Sequence, residues 1–233
     1  MKYSLFRFPR LRERAFSLVE LLVAMGIVMM LVAVLAAVLT DTERAWSAGT
    51  ADEETWTSAR IALGVLGDEL SCAVADNILT FNVENTNELY GWVSSEACFV
   101  ILDPEVSDTN RAVEMVRYWV RKTGDTERYE LVRGSAANNC YWNQLWFNEP
   151  RPLNPSVVAE NVAAFNIVMP PDYVSNGLPE YVDIFLELLA GPDAEKVSDL
   201  ARNGLNYTNL LERRVKRFTT RVFFNNRDGY TDR

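Results

Sequence analysis

Hydrophobic positions divide the chain into one long apolar run near the N-terminus and a larger part in which apolar and polar residues alternate. The run Phe16–Leu39 is apolar except for Ser17, Gly26 and the carboxylate of Glu20. A helix of this length extends roughly 36 Å at ~1.5 Å per residue, which exceeds the ~30 Å hydrocarbon core of a bilayer. The run is also longer than the roughly 7 to 15 apolar residues of an ordinary secretory signal. It therefore predicts a membrane-spanning helix.

Helical spacing resumes after this run, between Thr55 and Val74. Apolar side chains recur there at steps of three and four residues, at Trp56, Ala59, Leu63, Leu66 and Leu70. We expect the N-terminal helix to continue over residues 41–76, with a bend near residues 47–49, and to pack this apolar stripe on a sheet. A seam with a partner helix is the alternative interpretation.

From Asn77 onward, short runs alternate apolar and polar residues and are bounded by Asn, Asp, Gly and Pro, which is typical of antiparallel strands. The candidate strands are Cys98–Leu102, Val113–Arg121, Arg128–Arg133, Val162–Met169, Tyr181–Leu189 and Phe218–Phe224. The sequence thus predicts an α+β fold, with a long N-terminal transmembrane helix followed by an antiparallel β-rich globular domain over residues 77–233.

Two glycines indicate where local elements turn or end. Gly124, between Thr123 and Asp125, predicts a hairpin loop between the second and third candidate strands, because glycine readily adopts a positive φ. Residues 193–203 predict a short surface helix that ends near Gly204.

Charge is distributed unevenly along the chain. Residues 1–15 hold one carboxylate and five basic residues, which are Lys2, Arg7, Arg10, Arg12 and Arg14. Their local charge of +4 leaves −13 for the rest of the chain, whose total formal charge is −9. Asp41 and Glu43 follow the apolar run, so the positive-inside rule places the leader in the cytoplasm and the C-terminal body across the membrane. The acidic body argues against nucleic-acid binding, which depends on neutralising phosphates.

Composition gives little support to catalysis. The chain contains no histidine, which excludes Ser–His and Cys–His nucleophile pairs and metal sites that depend on imidazole. Acidic groups near Asp52, Asp103 and Asp228 are interpreted as solvated loops rather than calcium sites, because none has EF-hand spacing. We therefore expect no enzymatic activity, no cofactor and no metal ion.

The three cysteines and one aromatic patch leave alternatives open. Cys98 and Cys140 are a possible disulfide in an oxidising compartment, and Cys72 on the helix is expected to be a buried thiol. One sequence does not determine the pairing. The aromatic patch at residues 141–147 is interpreted as core packing beneath a loop, with a protein or glycan contact surface as the alternative.

Glu20 stands out because an ionised carboxylate inside a membrane helix costs about 2.5 to 3.5 kcal/mol on insertion scales. A cut before Phe16 would create an α-ammonium group four residues away, and each charge would offset the burial of the other. That partner can also lie on a neighbouring subunit. The alternative is a carboxylate that snorkels toward the headgroups.

The segment from Arg14 to Met25, RAFSLVELLVAM, resembles the cleavage and methylation signature of type IV prepilins and type II secretion pseudopilins. The resemblance implies cleavage by prepilin peptidase between Ala15 and Phe16, N-methylation of Phe16, and use of Glu20 to set the assembly register. Ala15 is a departure, since the family usually has glycine there. The implied organisation is a leader at 1–15, an assembly helix at 16–40, its periplasmic continuation at 41–76 and the β-rich domain.

Two shorter segments, residues 59–70 and 217–226, are similar to the minor pseudopilin J and pilin W group. These resemblances imply a minor subunit of a type II secretion pseudopilus or a type IV pilus, held first in the bacterial inner membrane. The implied partners are prepilin peptidase, other pilin or pseudopilin subunits, the inner-membrane assembly platform and membrane lipid. The competing hypotheses are a single-pass anchored periplasmic binding module that never polymerises, and an exported enzyme with an uncleaved anchor.

Overall fold

The computed structural model describes residues 17–74, 81–90, 92–102, 113–124, 126–137, 155–173 and 178–225. Two compact units divide the chain, Met1–Gly49 and Thr50–Arg233. The elements of the described ranges are α1 (Leu18–Ser71), β1 (Ala73–Val74), β2 (Asn82–Leu89), β3 (Trp92–Leu102), β4 (Val113–Lys122), β5 (Tyr129–Ala137), β6 (Ser156–Ala159), β7 (Val162–Val168), β8 (Tyr181–Leu188), α2 (Gly191–Arg202), α3 (Thr208–Arg214) and β9 (Lys216–Phe223).

The N-terminal helix is confirmed. By length and composition, α1 is the one helix among the described residues that could cross a membrane. It remains helical through residues 47–49 and ends at Ser71, earlier than the expected residue 76. The reason for the earlier end is that Ala73 already belongs to β1, where it pairs with Ile101 of β3.

Within the second unit, the buried stripe of α1 is rotated slightly from the predicted one. The buried residues are Thr55, Ala59, Ala62, Leu66 and Leu70. Leu63 is half-buried against the core, whereas Trp56 is 56% exposed and contacts the Phe218 ring edge-on, with centroids 4.8 Å apart. The stripe does pack on a sheet, as predicted, because its residues share one core cluster with strand residues such as Tyr118 and Ile184.

The strands form two antiparallel sheets. The larger has six strands in the order β1-β3-β4-β5-β6, with β2 also paired to β3, and the smaller has the order β7-β8-β9. All six candidate strands are confirmed. Sequence reasoning missed β1, β2 and β6: β1 has two residues, β6 has four, and β2 (NVENTNEL) is too polar to show alternation.

Both predicted turning glycines have a positive φ. Gly124 (φ +55) lies in the hairpin between β4 and β5, where the Thr123 N–H donates to the Arg128 carbonyl at 2.9 Å. Gly204 (φ +66) follows the short helix α2, as expected. The seven-residue helix α3 was not predicted, because so short a segment shows too few turns of periodicity.

Side chains of β3 join the two sheets. The Ser94 hydroxyl donates to the Phe165 carbonyl at 3.2 Å, and the Ile167 N–H donates to Ser95 Oγ at 3.1 Å. Both serines are buried. These bonds occupy one carbonyl and one N–H of β7, an edge strand of the small sheet.

Candidate functional site

The sequence-predicted site lies at the start of α1. Leu18 is the first helical residue, and the Leu21 N–H donates to the Ser17 carbonyl at 3.1 Å. Glu20 is in the first turn, three residues after Ser17. This is the spacing of a capping box, and a negative charge in the first turn also interacts favourably with the helix dipole. Glu20 therefore has a local structural role available in addition to the predicted assembly role.

Ala15 and Phe16 lie outside the described residues. Cleavage between them and methylation of Phe16 therefore remain predictions, as does the pairing of Glu20 with an α-ammonium group.

The helix that follows Glu20 is apolar around its whole circumference. Every described side chain from Leu18 to Leu39 is exposed, including Met30 and Leu31. A helix that is hydrophobic on all sides is stable only when lipid or other protein covers it. This surface is consistent with membrane anchoring.

A polar contact that sequence reasoning missed joins α1 to the large sheet. Glu69 Oε2 accepts a hydrogen bond from the Tyr118 hydroxyl at 2.5 Å, and Glu69 Oε1 accepts one from Arg133 Nε at 2.8 Å. Burial, followed by the hydrogen bond to Glu69, raises the pKa of Tyr118 well above its usual range. The available signal was a carboxylate placed directly beside the stripe residue Leu70.

The cysteines are placed differently from one another. Cys98 lies on β3 and is 4% exposed, and in its reduced form burial raises the pKa of its thiol to about 11. Cys140 lies outside the described residues, so the proposed disulfide stays a prediction. The expectation that Cys72 is buried was wrong: it is exposed, because α1 ends one residue earlier, at Ser71.

The other sequence candidates carry no site in the described part of the chain. The aromatic patch at 141–147 and the acidic groups near Asp103 and Asp228 lie outside it. Asp52 forms an ion pair with Lys216, with Oδ1 and Nζ 2.6 Å apart. No group of three His, Cys, Asp or Glu side chains is arranged to hold a metal ion among the described residues.

Residues 10–36 match the family model of the prokaryotic N-terminal methylation motif. Among solved structures, the chain is similar to a type IV-like pilin from Thermus thermophilus, with 14% sequence identity and a TM-score of 0.40. The matched region covers 73% of this chain and 97% of the Thermus chain. No curated protein sequence matches the chain.

The chain is similar to type IV pilins in its N-terminal methylation motif. Its architecture is a long apolar helix followed by antiparallel sheets.

Proposed function

We propose that this protein is a minor pilin-like subunit of a type II secretion pseudopilus or a type IV pilus. The observation that carries the proposal is the methylation motif over residues 10–36, which leads into a helix exposed and apolar on all sides. Such a surface fits two successive environments, the bilayer before assembly and neighbouring helices afterwards. The subunit would be structural, with no catalysis of its own.

Processing would prepare the N-terminus for assembly. The basic leader stays in the cytoplasm, prepilin peptidase cuts between Ala15 and Phe16, and Phe16 is methylated. The new α-ammonium group would then lie one helical turn from Glu20, or beside Glu20 of a neighbouring subunit. Because an unpaired charge in an apolar helix bundle is costly, this pairing would favour one stagger between subunits.

Two short segments and the size of the C-terminal unit support the minor role and its subtype. The segments similar to the pseudopilin J and pilin W group coincide with the sheet-facing part of α1 and with β9. A body as large as residues 50–233 suits a subunit present in few copies near the filament tip. Its partners would be other pilin or pseudopilin subunits and the inner-membrane assembly platform.

The second candidate is a single-pass anchored periplasmic binding module. One observation favours it: Glu20 stands at capping-box spacing from Ser17, so its presence can be explained without any assembly. Such a module would keep its function when the peptidase is absent.

Intact-mass analysis of the membrane-extracted protein, from cells with and without prepilin peptidase, tests the proposal. We expect a mature form that begins at Phe16 and carries one extra methyl group, present only with the peptidase. An uncut chain in both strains would overturn the proposal in favour of the anchored module.

A further inference from the structure

A groove runs beside α1 in the unit Thr50–Arg233. It consists of two adjoining cavities of about 390 and 450 Å³ that share Glu54, Ser58 and Val158 in their walls. Residues 50–61 of α1 form one side, and residues 157–161, at the end of β6 and the connection to β7, form the other. The stretch of α1 covers roughly 16 Å at ~1.5 Å per residue, the length of about five extended residues.

One wall of the groove is an edge strand. β6 is the last strand in the order of the large sheet and pairs with β5 alone among the described strands. Val157 on this strand is 45% exposed. An edge strand presents backbone N–H and C=O groups to a further strand. On β7, in contrast, one carbonyl and one N–H are bonded to the side chains of Ser94 and Ser95.

The groove carries uncompensated negative charge next to apolar side chains. Glu53, Glu54 and Glu160 line it, and none has an ion-pair partner within the part of the chain that the structure describes. Neighbouring Asp52, by comparison, is paired with Lys216. The apolar side chains are the valines of β6 on one side and, on the other, Ile61 of α1, which is 56% exposed.

We propose that this groove binds an extended, basic segment of another polypeptide, which adds a strand to β6. A groove between an edge strand and a helix is a geometry in which main-chain hydrogen bonds give affinity and side-chain contacts give specificity. Apolar side chains of the segment would contact Ile61 and Val157, and cationic side chains would approach the three glutamates. The inference concerns recognition by the C-terminal unit and holds whether or not the protein assembles into a filament.

The charges favour a basic partner over a second copy of this chain. Pairing of β6 with the β6 of another copy would bring two sets of Glu53, Glu54 and Glu160 together. Like charges placed close to one another in an interface oppose association.

Peptide binding to the full-length protein in zwitterionic lipid nanodiscs tests the proposal. The probes are fluorescein-labelled KVKVKV, its acidic counterpart EVEVEV, and KVPVKV, in which a central proline interrupts strand pairing. Fluorescence anisotropy, with empty nanodiscs as the background control, should show that KVKVKV binds the protein. KVPVKV should bind at least tenfold more weakly, and EVEVEV should not bind.

Two triple variants distinguish binding in the groove from nonspecific charge attraction to the protein surface. The variant E53Q/E54Q/E160Q should bind KVKVKV at least tenfold more weakly. The matched control, D68N/E84Q/E212Q, removes three carboxylates from other exposed positions and should bind as the unaltered protein does. Equal weakening in both variants, or equal binding of KVPVKV, would overturn the proposal and indicate adsorption of a cation to an acidic surface.

Hydrogen exchange supplies a readout that depends on the strand itself. Bound KVKVKV should slow amide exchange within residues 156–159. No protection there, or no binding of KVKVKV at all, would contradict strand addition to β6.

Discussion

The hydroxyl of Tyr118 donates a hydrogen bond to Glu69 Oε2 at 2.5 Å, across 49 positions of sequence. Tyr118 is fully buried on β4, and Glu69 lies on α1 beside the buried stripe. Because the other Glu69 oxygen accepts a bond from Arg133 of β5, the carboxylate joins α1 to two adjacent strands. This contact opposes sliding of the helix along the sheet, which would leave polar groups buried without partners.

Replacing Glu69 should therefore destabilise the second unit. In Glu69→Ala the buried Tyr118 hydroxyl loses its acceptor, whereas the half-buried Arg133 guanidinium keeps Glu114 at 3.8 Å. We expect a loss of about 1 to 3 kcal/mol, the cost of one unsatisfied buried group. Denaturant unfolding followed by near-UV circular dichroism would measure it. The control is Asp68→Asn, an exposed neighbour, which should stay within about 0.5 kcal/mol. Equal stability of the two variants would contradict this role.

The buried ion pair between Arg117 and Glu96 predicts that removing one partner and replacing both partners will change the stability of the fold differently. Both residues are buried on adjacent strands of the large sheet. Glu96→Ala leaves a buried cation without this partner and should cost about 3 to 5 kcal/mol, whereas the double change Glu96→Leu with Arg117→Met should be close to neutral or stabilising. Urea midpoints of the single and double variants test this. A double variant less stable than Glu96→Ala would show that the pair itself stabilises the fold.

Alkaline pH should weaken the fold through Cys98 under reducing conditions. Burial raises the pKa of this thiol from 9.0 to about 11, and burial also raises the pKa of Tyr90 and Tyr118. The unfolded chain therefore loses these protons first. The stabilising contribution of the Cys98 thiol is complete below pH 9 and is lost as the pH rises to about 11.

Unfolding free energy measured from pH 8 to 11 checks this prediction. Cys98→Ala should fall less steeply over that range than the unaltered protein, and the exposed control Cys72→Ala should not change the slope. A steeper fall in Cys98→Ala would contradict the assignment.

The role of the Glu20 charge can be tested separately from the role of its side-chain oxygen as a hydrogen-bond acceptor. Glu20→Gln keeps the side-chain oxygen that a capping box needs but removes the negative charge. If Glu20 pairs with the α-ammonium group of Phe16, this variant should be cleaved normally yet enter sheared filaments at least tenfold less efficiently. Glu43→Gln, beyond the apolar run, is the matched control and should assemble normally. Normal assembly of Glu20→Gln would contradict the pairing with the α-ammonium group.

Local patterns predicted the elements that contain enough periodic residues. Six strands and α2 were recognised because each repeats its period several times, and Gly124 and Gly204 indicated where the chain turns. β1, β6 and α3 were missed because two, four and seven residues show too little of a period. β2 was missed because its sequence is polar and shows no alternation. It forms a strand through its pairing with β3, which no local pattern within β2 indicates.

The sequence by itself determined the apolar helix, the methylation motif over residues 10–36 and the antiparallel β-rich class, because these depend on the identity and spacing of residues that are close along the chain. Only the tertiary structure decided which residues of α1 are buried and that Glu69 contacts Tyr118. It also decided that glutamates from α1 and from the connection between β6 and β7 line one groove. These are relationships between distant residues. They arise when two sheets and a helix pack together, and no local spacing contains that information.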